Sequence, residues 1–216
     1  MSQTTTLRKT LVLNESFNTA AENMQFDEDC LVRVGKEKIR IFRWYKWKER
    51  GLTISKKKKL PDNLSHIDYS ERISGGGIVF HSPNDIVFSI TSTLDDEFFP
   101  KKLKDKMDFI SEKIRLSLHK CEIKTALSKK EEDLIDYNFC KSYFNPSEIT
   151  VNDQKVCGMS LRKKRDSFII QGVIHVESNR IHFEEVATIY KSFLTDGIQS
   201  GLTDRIFNEV KKINVT

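Results

Sequence analysis

The segment from Pro100 to Cys121 restricts the possible folds of this chain more than any other. An apolar residue recurs in it at every third or fourth position, which is the spacing of one face of an α-helix: Leu103, Met107, Ile110, Ile114 and Leu118. Pro100 suits the first turn of such a helix. The segments on either side have strand-like composition, so the sequence predicts this helix packed against a sheet.

The strand-like segments are rich in β-branched and aromatic residues and lie between turn signals. They are residues 38–47, a short strand from Gly51, 77–80, 85–91, 148–161 and 168–177. The segment 77–91 is predicted to be a hairpin through His-Ser-Pro-Asn, and 148–161 a hairpin through Asn152-Asp153. Further helices are predicted over 17–34, near 182–195 and over 203–213. The predicted fold class is α+β, a mixed, mostly antiparallel sheet with packed helices, in a single domain over residues 1–216.

Composition and charge exclude several classes of protein. No apolar run approaches the ~20 residues that cross a bilayer, and the N-terminus lacks a secretory pattern, which predicts a cytoplasmic protein without membrane association. The four cysteines have no CxxC spacing, so no metal site is predicted and the cysteines are expected to be reduced thiols. The net charge of +5 favours acidic partners.

Three consecutive glycines, Gly75, Gly76 and Gly77, follow Ser74 and precede an apolar run. Glycine is the residue that costs the most backbone entropy to order, so a run of three suggests a backbone that a ligand approaches closely. The alternative is a flexible entry into a hairpin. From sequence alone His81, four residues later, is more often structural than catalytic, and Lys155, beside a turn, is more often a surface lysine.

The order of three motifs resembles the lipoate–protein ligase and octanoyltransferase family, which is related in fold to the biotin ligases. The first is Asn-Met-x-x-Asp-Glu at 23–28, the second is Arg-x-Ser-Gly-Gly-Gly-x-Val-x-His at 72–81, and the third is Val-Asn-x-x-Lys-Val-x-Gly at 151–158. The resemblance implies a biotin/lipoate ligase-like catalytic domain. It also implies that the acyl chain is bound by Arg72, Ser74, Gly75, Gly76, Gly77, His81 and Gly158.

The resemblance further implies two catalytic residues. Lys155 matches the family lysine that meets the acyl carbonyl, where an ammonium stabilises a developing oxyanion. Cys140 lies fifteen positions before Lys155, the separation of the cysteine-dependent transferases, in which the thiolate takes the acyl group as a thioester. Replacement of Lys155 by Ala is expected to stop transfer and to leave the fold intact, because a lysine beside a turn contributes little stability.

The function implied is transfer of an octanoyl or lipoyl group from a carrier protein, through Cys140, to a lysine of a lipoyl-domain protein. Thioester exchange and amide formation need no cofactor. The donor is expected to be acyl carrier protein or a lipoylated protein, and the acceptor glycine cleavage H protein or a 2-oxoacid dehydrogenase acyltransferase. The alternatives are an ATP- and Mg-dependent lipoate–protein ligase acting through lipoyl-AMP, with a separate accessory subunit, or a non-catalytic paralogue that binds lipoyl domains. The ligases generally have a C-terminal accessory domain, and none is expected here.

The sequence departs from the family pattern at three places. These departures suggest two alternatives, a divergent substrate specificity or a loss of activity. Glu71 stands where a second Arg is common, a lysine run from Lys56 to Lys59 replaces Gly-x-x-Gln, and Gln171 replaces the His of a His-Gly pair.

The chain has two basic runs, 56–59 and 162–165. Each is interpreted either as a solvated loop or as a docking site for an acidic carrier domain. They also raise the possibility of nucleic-acid binding, together with the aromatic residues of 42–48. Because those aromatics alternate in a half-buried strand and no nucleic-acid motif accompanies them, no nucleic-acid partner is predicted.

Overall fold

A computed structural model describes residues 8–17, 19–56, 58–128, 139 and 147–214. The strands of its larger sheet are β1 Thr10–Leu13, β2 Arg40–Lys46, β6 Ile86–Thr93, β7 Ala126–Leu127, β8 Ile149–Val151, β9 Gln154–Lys164 and β10 Ser167–Ile174. Their order across the sheet is β1-β2-β6-β10-β9-β8-β7. β1 and β2 are parallel and the other neighbours are antiparallel.

A second sheet of three strands, in the order β4-β3-β5, lies beside the first. Its strands are β3 Gly51–Ser55, β4 Tyr69–Arg72 and β5 Val79–His81. The predicted hairpin over 77–91 is therefore wrong, because β5 pairs with β3 and β6 pairs with β2 and β10. The turn between β5 and β6 carries the chain from one sheet to the other.

Helix α2, Leu103–Lys120, covers one face of the larger sheet. Its apolar stripe, Ile110, Ile114 and Leu118, is fully buried against Phe42, Trp44, Phe88 and Ile170 of the sheet. Helix α4, Thr203–Val210, adds Ile206 and Val210 to the same core. The stripe predicted from the sequence is thus confirmed, although the helix begins at Leu103 and Pro100 precedes it.

Helix α1, Ala20–Glu37, packs on the opposite face. A capping box formed by Thr19 and Glu22 starts it, and Lys38 in the left-handed conformation ends it. Asp27 on its buried side pairs with Arg43 of β2 at 2.8 Å, and both side chains are almost fully buried. This ion pair fixes the helix above the sheet.

The hairpin of β8 and β9 turns through Asn152 and Asp153, whose φ angles of 48° and 60° are those of a type I′ turn. This turn was predicted from the Asn-Asp pair and is confirmed. The C-terminal region is less helical than expected: 182–195 contains only the short helix α3, Glu184–Ala187, between turns. The remaining short 3-10 segments are Asp62–Leu64, Arg180–His182 and Lys211–Asn214. Within the described ranges, no helix is long and apolar enough to cross a membrane.

Candidate functional site

A cavity of about 570 Å³ opens between the two sheets, a size in the range of small-molecule sites. Strand β9 lines it from Lys155 to Leu161, a length of ~20 Å at the rise of a strand. Most of its wall is apolar: Met24, Ile78, Val79, Phe80, Val87, Met107, Met159, Val173 and Phe193. Its polar lining includes Lys155 with Glu148, His81 with His175, and Asp27 with Gln171, so the cavity suits a largely apolar ligand that carries a polar group.

The buried side chain of Arg72 holds the glycine segment in its conformation through hydrogen bonds. Its guanidinium donates to the carbonyl oxygens of Gly75 and Gly77, at 2.8 and 2.6 Å, and to Thr53 Oγ1 at 3.2 Å. Gly76 has a φ of 97°, which side-chain-bearing residues rarely adopt. These contacts hold the loop in a tight curve, with Gly75 and Gly76 on the cavity wall.

Ser74 and Gln171 tie the same loop to the larger sheet. Gln171 Oε1 accepts a hydrogen bond from the Ser74 N–H at 3.3 Å, and Gln171 Nε2 donates to Asp27 Oδ2 at 2.7 Å. Ser160 Oγ lies 2.8 Å from Ser74 Oγ. Gln171, noted from the sequence only as a departure, therefore bridges helix α1 and the glycine segment. Local sequence patterns contain no signal for this contact, because its partners are far apart in the chain.

Lys155 is buried in the cavity wall and is not a surface residue. Its side chain is 5% exposed, and Nζ lies 2.6 Å from Oε1 of Glu148, which is 1% exposed. A Cβ at position 158 would come within 2.8 Å of Lys155 Cε, so Gly158 leaves the space that the lysine side chain occupies.

A β-bulge explains why Lys155 and Gly158 share a face. Lys155 pairs with Thr150, but the next pair along is Cys157 with Ile149, so Val156 is an extra residue in β9. In a regular strand, residues three apart point to opposite faces, and the bulge reverses this. The motif spacing could be read from the sequence, but the bulge could not.

The burial of Lys155 alters one expectation. Removing one partner of a buried ion pair costs about 3–5 kcal/mol, because the other charge is left uncompensated. We therefore do not expect Lys155→Ala to leave the fold undisturbed. The variant suited to a kinetic test is Lys155→Arg, which keeps a cation beside Glu148.

His81 lies on the cavity wall with its ring stacked on Trp47, at 4.6 Å between centroids. Nε2 is 2.9 Å from Thr53 Oγ1, whereas Nδ1 has no hydrogen-bond partner among the described residues. Burial lowers the pKa of His81 well below its usual 6.5, and nearby His175 and Arg72 lower it further. His81 is thus a neutral ring, and its Nδ1 is buried without a hydrogen-bond partner among the described residues.

Cys140 lies outside the described residues. Phe139, the residue before Cys140, is described: it bridges to Ile78 and stacks on Phe193 at 4.1 Å. Ile78 directly follows the glycine segment, and both Ile78 and Phe193 line the cavity. The chain is therefore anchored at the cavity wall one residue before Cys140.

The three other cysteines, Cys30, Cys121 and Cys157, are buried thiols. Burial raises the pKa of Cys30 to about 12, and the nearby Asp27 carboxylate adds to this. The pKa of Cys121 is also raised by burial. No three His, Cys, Asp or Glu side chains within the described ranges are grouped to hold a metal ion.

Sequence reasoning missed an acid–base pair at the cavity. His175 Nδ1 lies 3.0 Å from each carboxylate oxygen of Asp85, and His175 lines the cavity. Ninety positions separate the two residues, and the only sequence signal is an acidic residue in the β5–β6 turn.

The aromatic residues considered for nucleic-acid stacking are buried. Phe42 and Trp44 lie in the core with α2, and Tyr45 and Trp47 pack on the other face of the sheet. Each is at most 3% exposed, so none of the four presents a ring to a nucleotide.

The model of the lipoyl protein ligase A/B catalytic domain matches residues 19–209. The sequence matches none of the curated proteins with which it was compared. Among solved structures, protein Ta0514 from T. acidophilum has a TM-score of 0.71 at 15% identity, over 95% of this chain and 83% of that chain. Lipoate-protein ligase A bound with ATP has a TM-score of 0.65 at 15% identity, over 94% and 82%. The bi-partite lipoate protein ligase from Thermoplasma acidophilum, described with its E2 lipoyl domain, has a TM-score of 0.69 at 13% identity, over 95% and 82%. At sequence identities this low, the structural matches show the fold alone, and they confirm the predicted α+β catalytic fold.

Proposed function

Because this chain belongs to the lipoyl protein ligase A/B catalytic domain family, we propose that it transfers an octanoyl or lipoyl group between proteins, with Cys140 as the nucleophile. The donor is a carrier protein bearing the acyl group as a thioester or amide, and the acceptor is a lysine of a lipoyl domain. The observation that carries this proposal is the buried ammonium of Lys155 in the wall of a largely apolar cavity.

In the proposed reaction, the Cys140 thiolate attacks the carbonyl carbon of the donor. The acyl chain lies along β9, and Lys155 stabilises the charge that develops on the carbonyl oxygen. The donor leaves as a thiol or amine, and the acyl group remains on Cys140 as a thioester. The acceptor lysine then displaces the thiolate and forms an amide.

Two features of the described chain support a cysteine mechanism. Phe139 anchors the chain beside Ile78, which fits a nucleophile at the next position. Arg72, the cation of the glycine segment, donates to backbone carbonyls and to Thr53, an arrangement that shapes the loop and does not by itself favour a triphosphate. We therefore propose that no ATP is needed.

The proposed donors are acyl carrier protein or a lipoylated protein. The proposed acceptors are glycine cleavage H protein or a 2-oxoacid dehydrogenase acyltransferase. The proposed compartment is the cytoplasm, where thiols stay reduced.

Intact-mass spectrometry of the protein mixed with octanoyl-carrier protein, without ATP, tests the proposal. We expect a mass increase of one octanoyl group, its loss on addition of lipoyl domain, and neither event in Cys140→Ala. The matched control is Cys30→Ala, because a thiol with a pKa of about 12 has a thiolate fraction on the order of one in a hundred thousand at pH 7. This control should acylate at the wild-type rate.

Two other outcomes contradict the proposal in different ways. Lipoyl-domain modification that requires ATP and free lipoate and persists in Cys140→Ala would establish the ligase reaction. Binding of lipoyl domain with no acyl transfer under either condition would indicate a non-catalytic binding protein.

A further inference from the structure

The Asp85–His175 pair is built like an acid–base unit. Asp85 is fully buried, and its Oδ2 also accepts the Ser82 N–H at 2.9 Å, so the carboxylate is fixed by the β5–β6 turn. A carboxylate accepts hydrogen bonds and does not donate them. The proton of this contact is therefore on Nδ1 of His175, and Nε2 is the ring nitrogen left for proton transfer.

His175 stands next to Lys155 on the cavity face of the larger sheet. Its backbone N–H donates to the carbonyl of Val156 at 2.8 Å, which continues the pairing of β10 with β9. Gly158 pairs with Val173, so Gly158, Val173 and, two residues on, His175 share one face. Lys155 lies against Gly158 on that same face. Neighbouring strands are ~4.8 Å apart, which places the imidazole and the ammonium at the same end of the cavity.

We propose that His175, positioned by Asp85, is the general base of the second half-reaction, in which an acceptor lysine takes the acyl group from Cys140. This inference rests on the proposed function. The neutral amine attacks the thioester carbon, and the new C–N bond leaves the nitrogen positively charged. His175 Nε2 takes one proton from that nitrogen, the C–S bond breaks, and the Cys140 thiolate leaves. The imidazolium then returns the proton to the thiolate, giving an amide, a thiol and a neutral His175.

Two other ionisable groups at the cavity, His81 and Lys155, are suited to different roles. His81 is buried and stacked on Trp47. Lys155 is held by Glu148 and is suited to stabilise negative charge on the carbonyl oxygen. The side chain of His175 is 14% exposed, which leaves it accessible to an amine that enters from solvent.

The decisive variant is His175→Asn, whose amide can still donate to Asp85. We expect the octanoyl adduct on Cys140 to form to its normal extent, and its transfer to a lipoyl domain to slow by on the order of 10²- to 10³-fold, so that acyl-enzyme accumulates. His119→Asn, an exposed histidine of α2, is the matched control and should transfer at the wild-type rate. Thermal unfolding of each variant is measured alongside.

Two readouts separate a base from a structural residue. The ratio of wild-type to His175→Asn transfer rates should rise with pH, because only an unprotonated base accepts a proton, whereas a structural defect gives a constant ratio. Imidazole added to His175→Ala should restore transfer. Asp85→Asn places an amide that can donate to Nδ1, which favours the tautomer without a lone pair on Nε2, and we expect the same accumulation of acyl-enzyme. This isosteric variant keeps the proposal testable if His175→Asn does not fold.

Failure of this inference differs from failure of the proposed function. If the wild-type protein forms no Cys140 adduct, the proposed function is wrong. If it forms the adduct and His175→Asn transfers it at the wild-type rate, or if the loss is independent of pH and imidazole has no effect, His175 is not the base.

Discussion

At the residue scale, His81 shows how the fold changes the properties of a side chain. In the sequence it is one polar residue after a glycine run. In the folded protein it is 3% exposed, stacked on Trp47 and bonded to Thr53. An imidazole in this environment stays neutral because protonation would place a charge where water cannot reach it.

This neutrality predicts a pH dependence of stability. The pKa of His81 is lowered on folding, so just below pH ~6.5 the unfolded chain binds a proton that the folded chain does not. The contribution of His81 to stability is therefore complete above ~6.5 and is lost as pH falls, by about 1.4 kcal/mol per pH unit. Urea titrations from pH 8 to 5 should show this slope for the wild type and a flatter one for His81→Gln.

The control for this titration is His119→Gln, which removes an exposed histidine. It should run parallel to the wild type. Equal slopes for the wild type and His81→Gln would mean that His81 titrates normally in the folded state.

At the element scale, one buried polar network joins helix α1 to the sheet. Asp27 accepts from Arg43, from Ser89 Oγ at 2.6 Å and from Gln171 Nε2 at 2.7 Å. Arg43 is fully buried and its guanidinium lies 3.6 Å from the ring centroid of Tyr45. Because Gln171 also binds the Ser74 N–H, the network extends from the helix to the glycine segment.

Asp27→Ala is expected to destabilise the protein by about 3–5 kcal/mol, because it leaves the Arg43 charge buried without its partner. Chemical denaturation monitored by Trp fluorescence gives the free energy of unfolding. Glu37→Ala is the control: it removes an exposed pair with Arg33 on the same helix, whose contribution to stability is expected to be small. A loss of under 1 kcal/mol in Asp27→Ala would show that α1 is held by its apolar contacts instead.

At the scale of the whole molecule, β9 links the cavity to a basic turn. The strand lines the cavity as far as Leu161, and the next residues, 162–165, are exposed and positively charged. The positive charge of this turn suits the docking of an acidic carrier domain beside the proposed acyl cavity. Of the other basic run, Lys56 pairs with Glu28 at 3.1 Å and Lys57 lies outside the described residues.

The double variant Lys163→Gln/Lys164→Gln tests docking. We expect the KM for an acidic carrier protein to rise about three- to tenfold with kcat unchanged, and the salt dependence of kcat/KM to weaken. Lys120→Gln/Lys124→Gln, at and just beyond the end of α2, removes the same charge from another surface and should leave KM near the wild-type value. Equal effects of the two pairs would indicate that only net charge matters.

Local sequence patterns were sufficient to predict the elements whose conformation depends mainly on neighbouring residues. The spacing from Leu103 to Leu118 specified helix α2 because the helical period places those side chains on one face whatever lies above them. Asn152-Asp153 specified the β8–β9 turn because these residues tolerate positive φ. The order of the three motifs was sufficient to identify the family.

The tertiary structure decided which distant groups meet. β5 pairs with β3 and not with its neighbour β6, Lys155 turns into the cavity through a bulge, and Asp85 meets His175 across ninety positions. The sequence of a short strand does not specify its partner strand, because its alternating apolar residues can pack on any apolar surface. Burial and charge pairing depend on how the two sheets are assembled. The tertiary structure therefore decides the environments of Lys155, His81 and His175, and with them the chemistry that these side chains can perform.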